Sequence, residues 1–271
     1  MITKSRIRGT LAVALAAGML ATFQGGAHAD DGVSPRIIGG DPASQNYSFV
    51  TALNWDQGGN HRFRCGGVLI DREWVLTAAH CVFDQQAGEP YAADLFDIRV
   101  GSNDRTTGGS TADVVETFVH PDYWTTPDDR ESDVALLRLD HSVPVRPIRI
   151  ADEEAEPGAD LRVIGWGITA IGQTQAAVTL NQLDTEVIDD DACVKGSIYD
   201  LTEGDLCVDD TADPPTGNCS GDSGTPAVWW NDRHWELVAI ESRSVDTCGE
   251  DPNVMPSATY HENWISSVMA D

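Results

Sequence analysis

The sequence predicts an all-β fold for residues 37–271, and three observations carry the prediction. Short apolar or alternating runs are separated by clusters of Gly, Pro, Asn and Asp, which is typical of strands joined by turns. Only the stretch 262–269 has the period of an amphipathic helix. Pro144 and Pro147 indicate a linker between two halves. The clearest strand candidates are the runs 68–70, 74–77, 98–101, 134–139, 161–166 and 237–240.

The N-terminal segment, residues 1–29, has the pattern of a secretory signal peptide. Three basic residues, Lys4, Arg6 and Arg8, precede an apolar run, and the sequence Ala-His-Ala at 27–29 offers a small-x-small cleavage site. The apolar run is too short for a membrane-spanning helix. We therefore expect a secreted, extracellular protein without a membrane partner.

Composition narrows the function further. The chain has 44 acidic and 17 basic residues and a formal net charge of −27, so its surface repels nucleic acid and anionic membranes. Its six cysteines are even in number, which agrees with export and disulfide formation, although spacing alone leaves the pairing open. A zinc site is the competing use of cysteines, but the sequence contains no C-x-x-C pair.

Two distant motifs contain the residue types needed for nucleophilic catalysis. Ser223 lies in the run GNCSGDSG at 217–224, and His80 lies in TAAHC at 77–81. A serine hydroxyl is a weak nucleophile at neutral pH, so it needs a base, and the base needs an acceptor for its second nitrogen. Asp133, which precedes an apolar run, is the natural third member.

Together with the sequence RIIGG at 36–40, these motifs resemble those of the chymotrypsin-like serine endopeptidases. The order His80, Asp133, Ser223 along the chain is also that of this family and not of the subtilisins or the α/β-hydrolases. The similarity extends from residue 37 to the C-terminus.

The resemblance implies the domain organisation. A signal peptide would be followed by an activation propeptide at 30–36 and a protease domain at 37–271. That domain would form two six-stranded antiparallel Greek-key β-barrels, at about 37–145 and 146–271, with the active site in the cleft between them and a short C-terminal helix. We expect a monomer that acts on a polypeptide substrate.

The resemblance also implies a role for each site residue. His80 would take the proton of Ser223, and Asp133 would orient the imidazole. The backbone N–H groups of Gly221 and Ser223 would form the oxyanion hole, and a side chain at position 221 would crowd the developing oxyanion. Ser242 corresponds to the family serine that supports the buried aspartate.

The resemblance implies that the protein is activated by cleavage, through residues at the start of the domain and beside the nucleophile. Cleavage after Arg36, by a separate trypsin-like protease, would free the amine of Ile37. In the family this ammonium turns inward and pairs with the aspartate before the nucleophile, here Asp222. Such a buried pair needs both partners, because leaving one charge alone costs about 3–5 kcal/mol.

The resemblance selects one disulfide pattern from those that the sequence allows. The first bridge would close the loop that contains the histidine, and the third would tie the serine loop to the opposite wall of the substrate pocket. The implied pairs are Cys65 with Cys81, Cys193 with Cys207, and Cys219 with Cys248.

The substrate pocket departs from that of the trypsins. Gly217 stands where they have an aspartate, so a Lys or Arg side chain of a substrate would lie unpaired. Where many relatives have Ser, Trp and Gly along the strand that pairs with the substrate backbone, this chain has Ser242, Arg243 and Ser244. Both Ser244 and Asn253 stand where the family has glycines in the pocket wall. We predict a narrower pocket for small or medium uncharged side chains, and we expect Arg243 to pair with surface carboxylates.

Two other interpretations stay open from the sequence. The altered wall would also suit a binding module or pseudoenzyme on a protease fold, although the complete triad favours an enzyme. The loop carboxylates of Asp104, Asp113 and Glu116 are oxygen ligands of the kind that calcium accepts, but we expect them to be solvated. We predict neither a cofactor nor a metal.

Overall fold

The computed structural model describes residues 37–56, 58–126, 130–196, 199–209 and 216–270. The predicted signal peptide and activation segment, residues 1–36, lie outside the described residues. Within the described ranges the chain forms seventeen strands, numbered here in chain order, and one α-helix, α1 (Glu262–Ala270). The strands are β1 Asp41–Pro42, β2 Val50–Asp56, β3 His61–Asp71, β4 Trp74–Thr77, β5 Phe83–Asp84, β6 Glu89–Pro90, β7 Phe96–Val100, β8 Ser110–Val119, β9 Ala135–Leu139, β10 Arg149–Ile150, β11 Asp160–Gly165, β12 Asn181–Glu186, β13 Asp205–Val208, β14 Pro226–Trp230, β15 Trp235–Ile240, β16 Arg243–Ser244 and β17 Asn253–Pro256.

The first half of the domain is a closed barrel in which six strands pair in the order β2-β3-β4-β9-β8-β7. In β7 and the first half of β8 the buried residues alternate, as the two-residue period of a strand predicts, whereas β2, β4 and β9 bury consecutive residues. In β7, for example, Phe96, Ile98 and Val100 are buried while the residues between them are partly exposed. The alternating apolar side chains therefore fill the interior of the barrel.

The second half is also a ring of six strands. β12, β11, β14 and β15 are neighbours in one sheet, and β13 pairs with β17 in another. Two isolated bridges join these sheets: Val187 at the end of β12 pairs with Val208, and Ala239 of β15 pairs with Ser257. The predicted all-β fold with two barrels and a short C-terminal helix is thereby confirmed.

The segment with the two prolines runs from one barrel to the other. The N–H of Val143 donates to Arg72 O and that of Ile148 to Leu69 O, both in or beside the first barrel. A few residues later the N–H of Ala151 donates to Leu237 O in β15. Among the described residues, no helix is long and apolar enough to span a membrane.

Candidate active site

Strand pairing places His80 and Asp133 at the same point of the first barrel. β4 ends at Thr77 and is followed by a short 3₁₀ turn, Ala79–Cys81, that contains His80. Asp133 lies two residues before the start of β9, whose first residue, Ala135, pairs with Thr77. The two side chains therefore meet where neighbouring antiparallel strands end and begin.

The aspartate and the histidine form a tight pair. Oδ2 of Asp133 lies 2.7 Å from Nδ1 of His80, and Oδ1 accepts the backbone N–H of His80 at 2.9 Å. Ser242 Oγ donates to Oδ2 at 2.6 Å. The Asp133 side chain is 1% exposed, whereas that of His80 is 26% exposed and can reach a substrate.

These contacts determine which nitrogen holds the proton. Burial alone would raise the pKa of Asp133, but the attraction of His80 and the hydrogen bonds from His80 and Ser242 hold that pKa below its ordinary value. An ionised carboxylate only accepts hydrogen bonds, so Nδ1 of His80 must donate. The neutral imidazole then has Nε2 free as a proton acceptor.

The loop with Ser223 packs against the turn that contains His80. The carbonyl of Ser223 accepts the N–H of Gly66 at 2.8 Å and lies 4.0 Å from Sγ of Cys81, the residue after His80. The structure records no hydrogen bond between the side chains of Ser223 and His80, both described residues. Such bonds often form only when substrate is bound.

Backbone hydrogen bonding alternates around Ser223. The N–H of Asp222 donates to Cys219 O at 2.9 Å, and that of Gly224 donates to Glu241 O at 2.7 Å. The N–H groups of Gly221 and Ser223, which alternate with these two along the chain, have no acceptor within the described part of the chain. They are two donors available to a carbonyl oxygen.

Gly221 is required by this loop conformation. Its φ of +98° lies in the left-handed region, where a residue with a side chain is strained. A Cβ atom there would also lie 3.2 Å from both Gly167 Cα and Ala176 Cβ. A side chain at position 221 would therefore crowd these neighbours.

Asp222 lies fully buried beneath the same loop. Its carboxylate accepts the N–H of Gly167 at 2.7 Å and that of Cys219 at 3.1 Å. Burial raises the pKa of Asp222 to about 7 despite these two bonds. Among the described residues no cation forms an ion pair with it, while Ile37 is itself 0% exposed in the neighbouring core.

The residues expected in the pocket wall bond to each other. Ser244 and Asn253 are cross-strand partners in β16 and β17, and Ser244 Oγ donates to Asn253 Oδ1 at 2.6 Å. Asn253 is completely buried. Gly217 lies on a bridge with Ile38 and contributes no side chain.

The partner of Arg243 is the buried carboxylate of Asp205, where we expected surface carboxylates from the sequence. Nη2 of Arg243 lies 2.7 Å from Asp205 Oδ2, and the two side chains are 7% and 0% exposed. Nη1 donates to Ser242 Oγ at 3.1 Å. An arginine only donates, so the hydroxyl of Ser242 must accept this bond and direct its own proton to Asp133.

Sequence reasoning missed Asp205. The signal was an aspartate at the head of β13, a short strand with mostly buried residues, where an unpaired charge would be unfavourable. The Arg243 guanidinium also donates to the carbonyls of Tyr199 and Asp200, so its position is fixed by four contacts.

Disulfides join the loops around these groups as the family pattern implies. The three bridges are Cys65–Cys81, Cys193–Cys207 and Cys219–Cys248. The sulfur atoms of the first bridge lie near the His80 ring, but they are bonded to each other and so do not make a metal site there.

A cleft of about 510 Å³ opens beside the paired histidine and aspartate. Its walls include three arginines in addition to His80, Asp133 and Ser242. These arginines are Arg64, Arg130 and Arg243.

Comparison with known proteins gives consistent matches. Residues 37–265 match the family described as Trypsin. The chain is 30% identical over 270 residues to mouse kallikrein 1-related peptidase b27, covering 93% of this chain and 96% of the relative. It is 33% identical over 201 residues to a trypsin of Phaedon cochleariae, covering 71% of this chain and 73% of the relative. The structure of neuropsin, a serine protease expressed in the limbic system of mouse brain, superposes with a TM-score of 0.70 at 29% identity and covers 87% of this chain and 98% of its own.

Proposed function

Because this chain belongs to the trypsin family of chymotrypsin-like serine proteases, we propose that it is a secreted endopeptidase that cuts peptide bonds through an acyl-enzyme intermediate. The observation that carries the proposal is the His80–Asp133 pair beside a serine loop with two unbonded N–H groups. Neither feature alone indicates hydrolysis. Together they supply a base, a nucleophile and a place for a developing negative charge.

Acylation proceeds in two steps. Oγ of Ser223 attacks the scissile carbonyl carbon while its proton passes to Nε2 of His80, and the carbonyl oxygen becomes an oxyanion bound by the N–H groups of Gly221 and Ser223. When the tetrahedral intermediate collapses, the C–N bond breaks and the Nε2 proton goes to the leaving amine. Asp133 stays ionised and stabilises the imidazolium that exists between the two transfers.

Deacylation repeats the sequence with water. Nε2 of His80 takes a proton from water as its oxygen attacks the ester carbon, and the proton returns to Oγ of Ser223 as the carboxylic acid product departs. The hydrogen bonds from Ser242 and from the His80 backbone keep Asp133 in one position throughout both half-reactions.

Activation by cleavage after Arg36, which lies outside the described residues, is supported by Asp222. The carboxylate is fully buried without an ion-pair partner among the described residues, and its pKa is raised to about 7. A new ammonium at Ile37 would stabilise the ionised form. Ile37 is already buried, and the bridge between Ile38 and Gly217 holds this segment against the loop that contains Asp222.

The proposed enzyme prefers small or medium uncharged side chains immediately before the cut. The pocket lacks a carboxylate at Gly217, and the Ser244–Asn253 hydrogen bond occupies the wall where glycines would leave space. Secretion is supported by the pattern of residues 1–29 and by the three disulfides. The other expected partner is a protease that cuts after arginine, and the enzyme acts as a monomer.

The test is hydrolysis of an unstructured protein such as casein after treatment with trypsin to cut at Arg36. Trypsin is then removed or inhibited by a reagent specific for it. We expect cleavage by the wild type and at least a thousandfold loss in both Ser223→Ala and His80→Ala. If the wild type is as inactive as the variants but still binds casein, the chain is a binding module on a protease fold.

A further inference from the structure

Arg64 lines the active-site cleft, and none of the described carboxylates forms an ion pair with its guanidinium. Its Nε donates to the carbonyl of Cys81, and its guanidinium stacks 4.0 Å above the Trp55 ring and 5.3 Å from the Tyr91 ring. Burial lowers the pKa of Arg64, so the cation has lost part of its water shell. Cys81 follows His80, which places this cation next to the catalytic turn.

Arg130 is a second cation of the cleft, with a separate anchor. Its guanidinium lies 4.8 Å from the Trp124 ring and 5.9 Å from the Tyr199 ring, and Nη1 donates to the Tyr123 hydroxyl at 3.2 Å. Its Nε is buried and makes no hydrogen bond with any described residue. Stacking on aromatic rings fixes the plane of each guanidinium and leaves donors for a ligand.

Several arginines of the described residues form no ion pair with a carboxylate, but of these only Arg64 and Arg130 line the cleft beside His80. The whole chain has a net charge of −27, and four other cations of the described residues pair with carboxylates. Those cations are Arg138, Arg162, Lys195 and Arg243. Arg64 and Arg130 form no such pair within the described ranges.

The two carboxylates that line the cleft form hydrogen bonds with groups other than Arg64 and Arg130. Asp133 is bonded to His80, and Asp84 accepts backbone N–H groups of its own turn at 2.9 Å and 3.1 Å. Arg243 is neutralised by Asp205. Among the described residues of the cleft, Arg64 and Arg130 are therefore the cations without a carboxylate partner, in a concave site where low-dielectric walls strengthen the field of a charge.

We propose, resting on the proposed function, that the preferred substrates contain acidic side chains at positions that flank the scissile bond, and that Arg64 and Arg130 each bind one of them. A carboxylate matches the fork of an arginine and forms two parallel hydrogen bonds with it. The residue immediately before the cut is not one of these positions, because it enters the pocket walled by Ser244 and Asn253. The acidic surface outside the cleft would repel such substrates, so selectivity depends on the two local cations.

The test compares matched pairs of quenched fluorescent peptides. The two peptides of a pair differ at one position only, which is Glu in one peptide and Gln in the other. This position is moved from four residues before the cut to four residues after it, and the residue immediately before the cut is always Ala. The trypsin-treated wild type is expected to show kcat/KM at least about tenfold higher for Glu than for Gln at one position for each arginine. The ratio is expected to fall toward 1 when salt is raised from 0.05 to 1 M, since exposed charges are screened.

Variants assign each preference to one side chain. Arg64→Gln is expected to abolish the Glu preference at one position and Arg130→Gln at another; the readout is the ratio of the Glu and Gln rates within one variant, so a change in rate common to both peptides does not affect it. Arg64→Lys keeps the positive charge but cannot form two parallel hydrogen bonds with a carboxylate, so it is expected to retain a reduced preference for Glu. Arg149→Gln is the matched control, since Arg149 is an exposed arginine of β10 outside the cleft, and both preferences should persist in it.

The outcomes separate this inference from the enzyme assignment. Efficient hydrolysis with equal rates for Glu and Gln at every position would overturn the inference and leave the peptidase intact. A preference that persists in both Arg→Gln variants would also overturn it. If no peptide is cut, binding of the same peptides to Ser223→Ala decides: tighter binding of Glu peptides that depends on Arg64 or Arg130 supports the inference, and equal binding overturns it.

Discussion

Replacing Asp205 by leucine is expected to destabilise the protein strongly, because it leaves the buried guanidinium of Arg243 without a counter-charge. The two side chains are 0% and 7% exposed and lie 2.7 Å apart. Removing one member of a buried ion pair costs about 3–5 kcal/mol. Arg243 would keep its bonds to Ser242, Tyr199 and Asp200, so we expect the lower end of that range.

A double variant separates charge from shape. In Arg243→Met/Asp205→Leu both charges are gone, and replacement of a buried ion pair by apolar side chains is often neutral or stabilising. For a domain of this size, 3 kcal/mol corresponds to a fall in Tm of about 6–12 °C in the single variant. The double variant is expected to unfold within about 3 °C of the wild type.

The rate of peptide hydrolysis tests the second role of the Arg243–Asp205 pair, which is to orient the hydroxyl of Ser242 toward Asp133. Without Arg243 the hydroxyl of Ser242 is no longer required to direct its proton to Asp133, so part of the support of the triad is lost. One hydrogen bond of about 1.4 kcal/mol corresponds to a tenfold fall in kcat/KM. Calorimetry and peptide hydrolysis measure the two effects separately. A double variant as unstable as the single one, or a single variant with unchanged Tm, would refute the reasoning.

Three further predictions follow from the same structure. In the uncut protein, the pKa of about 7 at Asp222 means that the folded state binds more protons than the unfolded state between about pH 4 and 7. The free energy of unfolding should therefore fall by on the order of 4 kcal/mol as pH rises through this window. In urea titrations, either cleavage after Arg36 or the substitution Asp222→Asn should remove this pH dependence. Burial and the neighbouring His261 lower the pKa of His120 to about 4, so stability should be lost as pH falls from about 6.5 to 4, and an unchanged pH dependence in His120→Phe would contradict this. Replacing both Ser244 and Asn253 by glycine should raise kcat/KM by about tenfold for peptides with Phe before the cut and leave Ala peptides nearly unchanged; no gain for Phe would show that these side chains do not limit the pocket.

The fold could be predicted from the sequence because its signals are local. Turn clusters and apolar alternation mark the strands, and the helix was expected within one residue of where it ends. β3 was underestimated, because its first residues, from His61, are polar and exposed and only its buried second half has the apolar run. Exposed strand ends have no hydrophobic pattern to detect.

The candidate site could be predicted only as far as short motifs describe it. His80, Asp133 and Ser223 lie in such motifs. The Arg243–Asp205 pair joins residues 38 positions apart, and a charged residue does not indicate which distant partner it will meet. The stacked arginines of the cleft were missed for the same reason, since the rings that hold them come from several separate strands and loops.

The most direct test of the central claim is to locate the covalent adduct of a fluorophosphonate by peptide mapping, before and after cleavage at Arg36. We predict one adduct, on Oγ of Ser223, that forms at least about a hundredfold faster in the cut protein and is absent in His80→Ala within the same time. An adduct on another residue, or none on Ser223 in the cut wild type, would contradict the account.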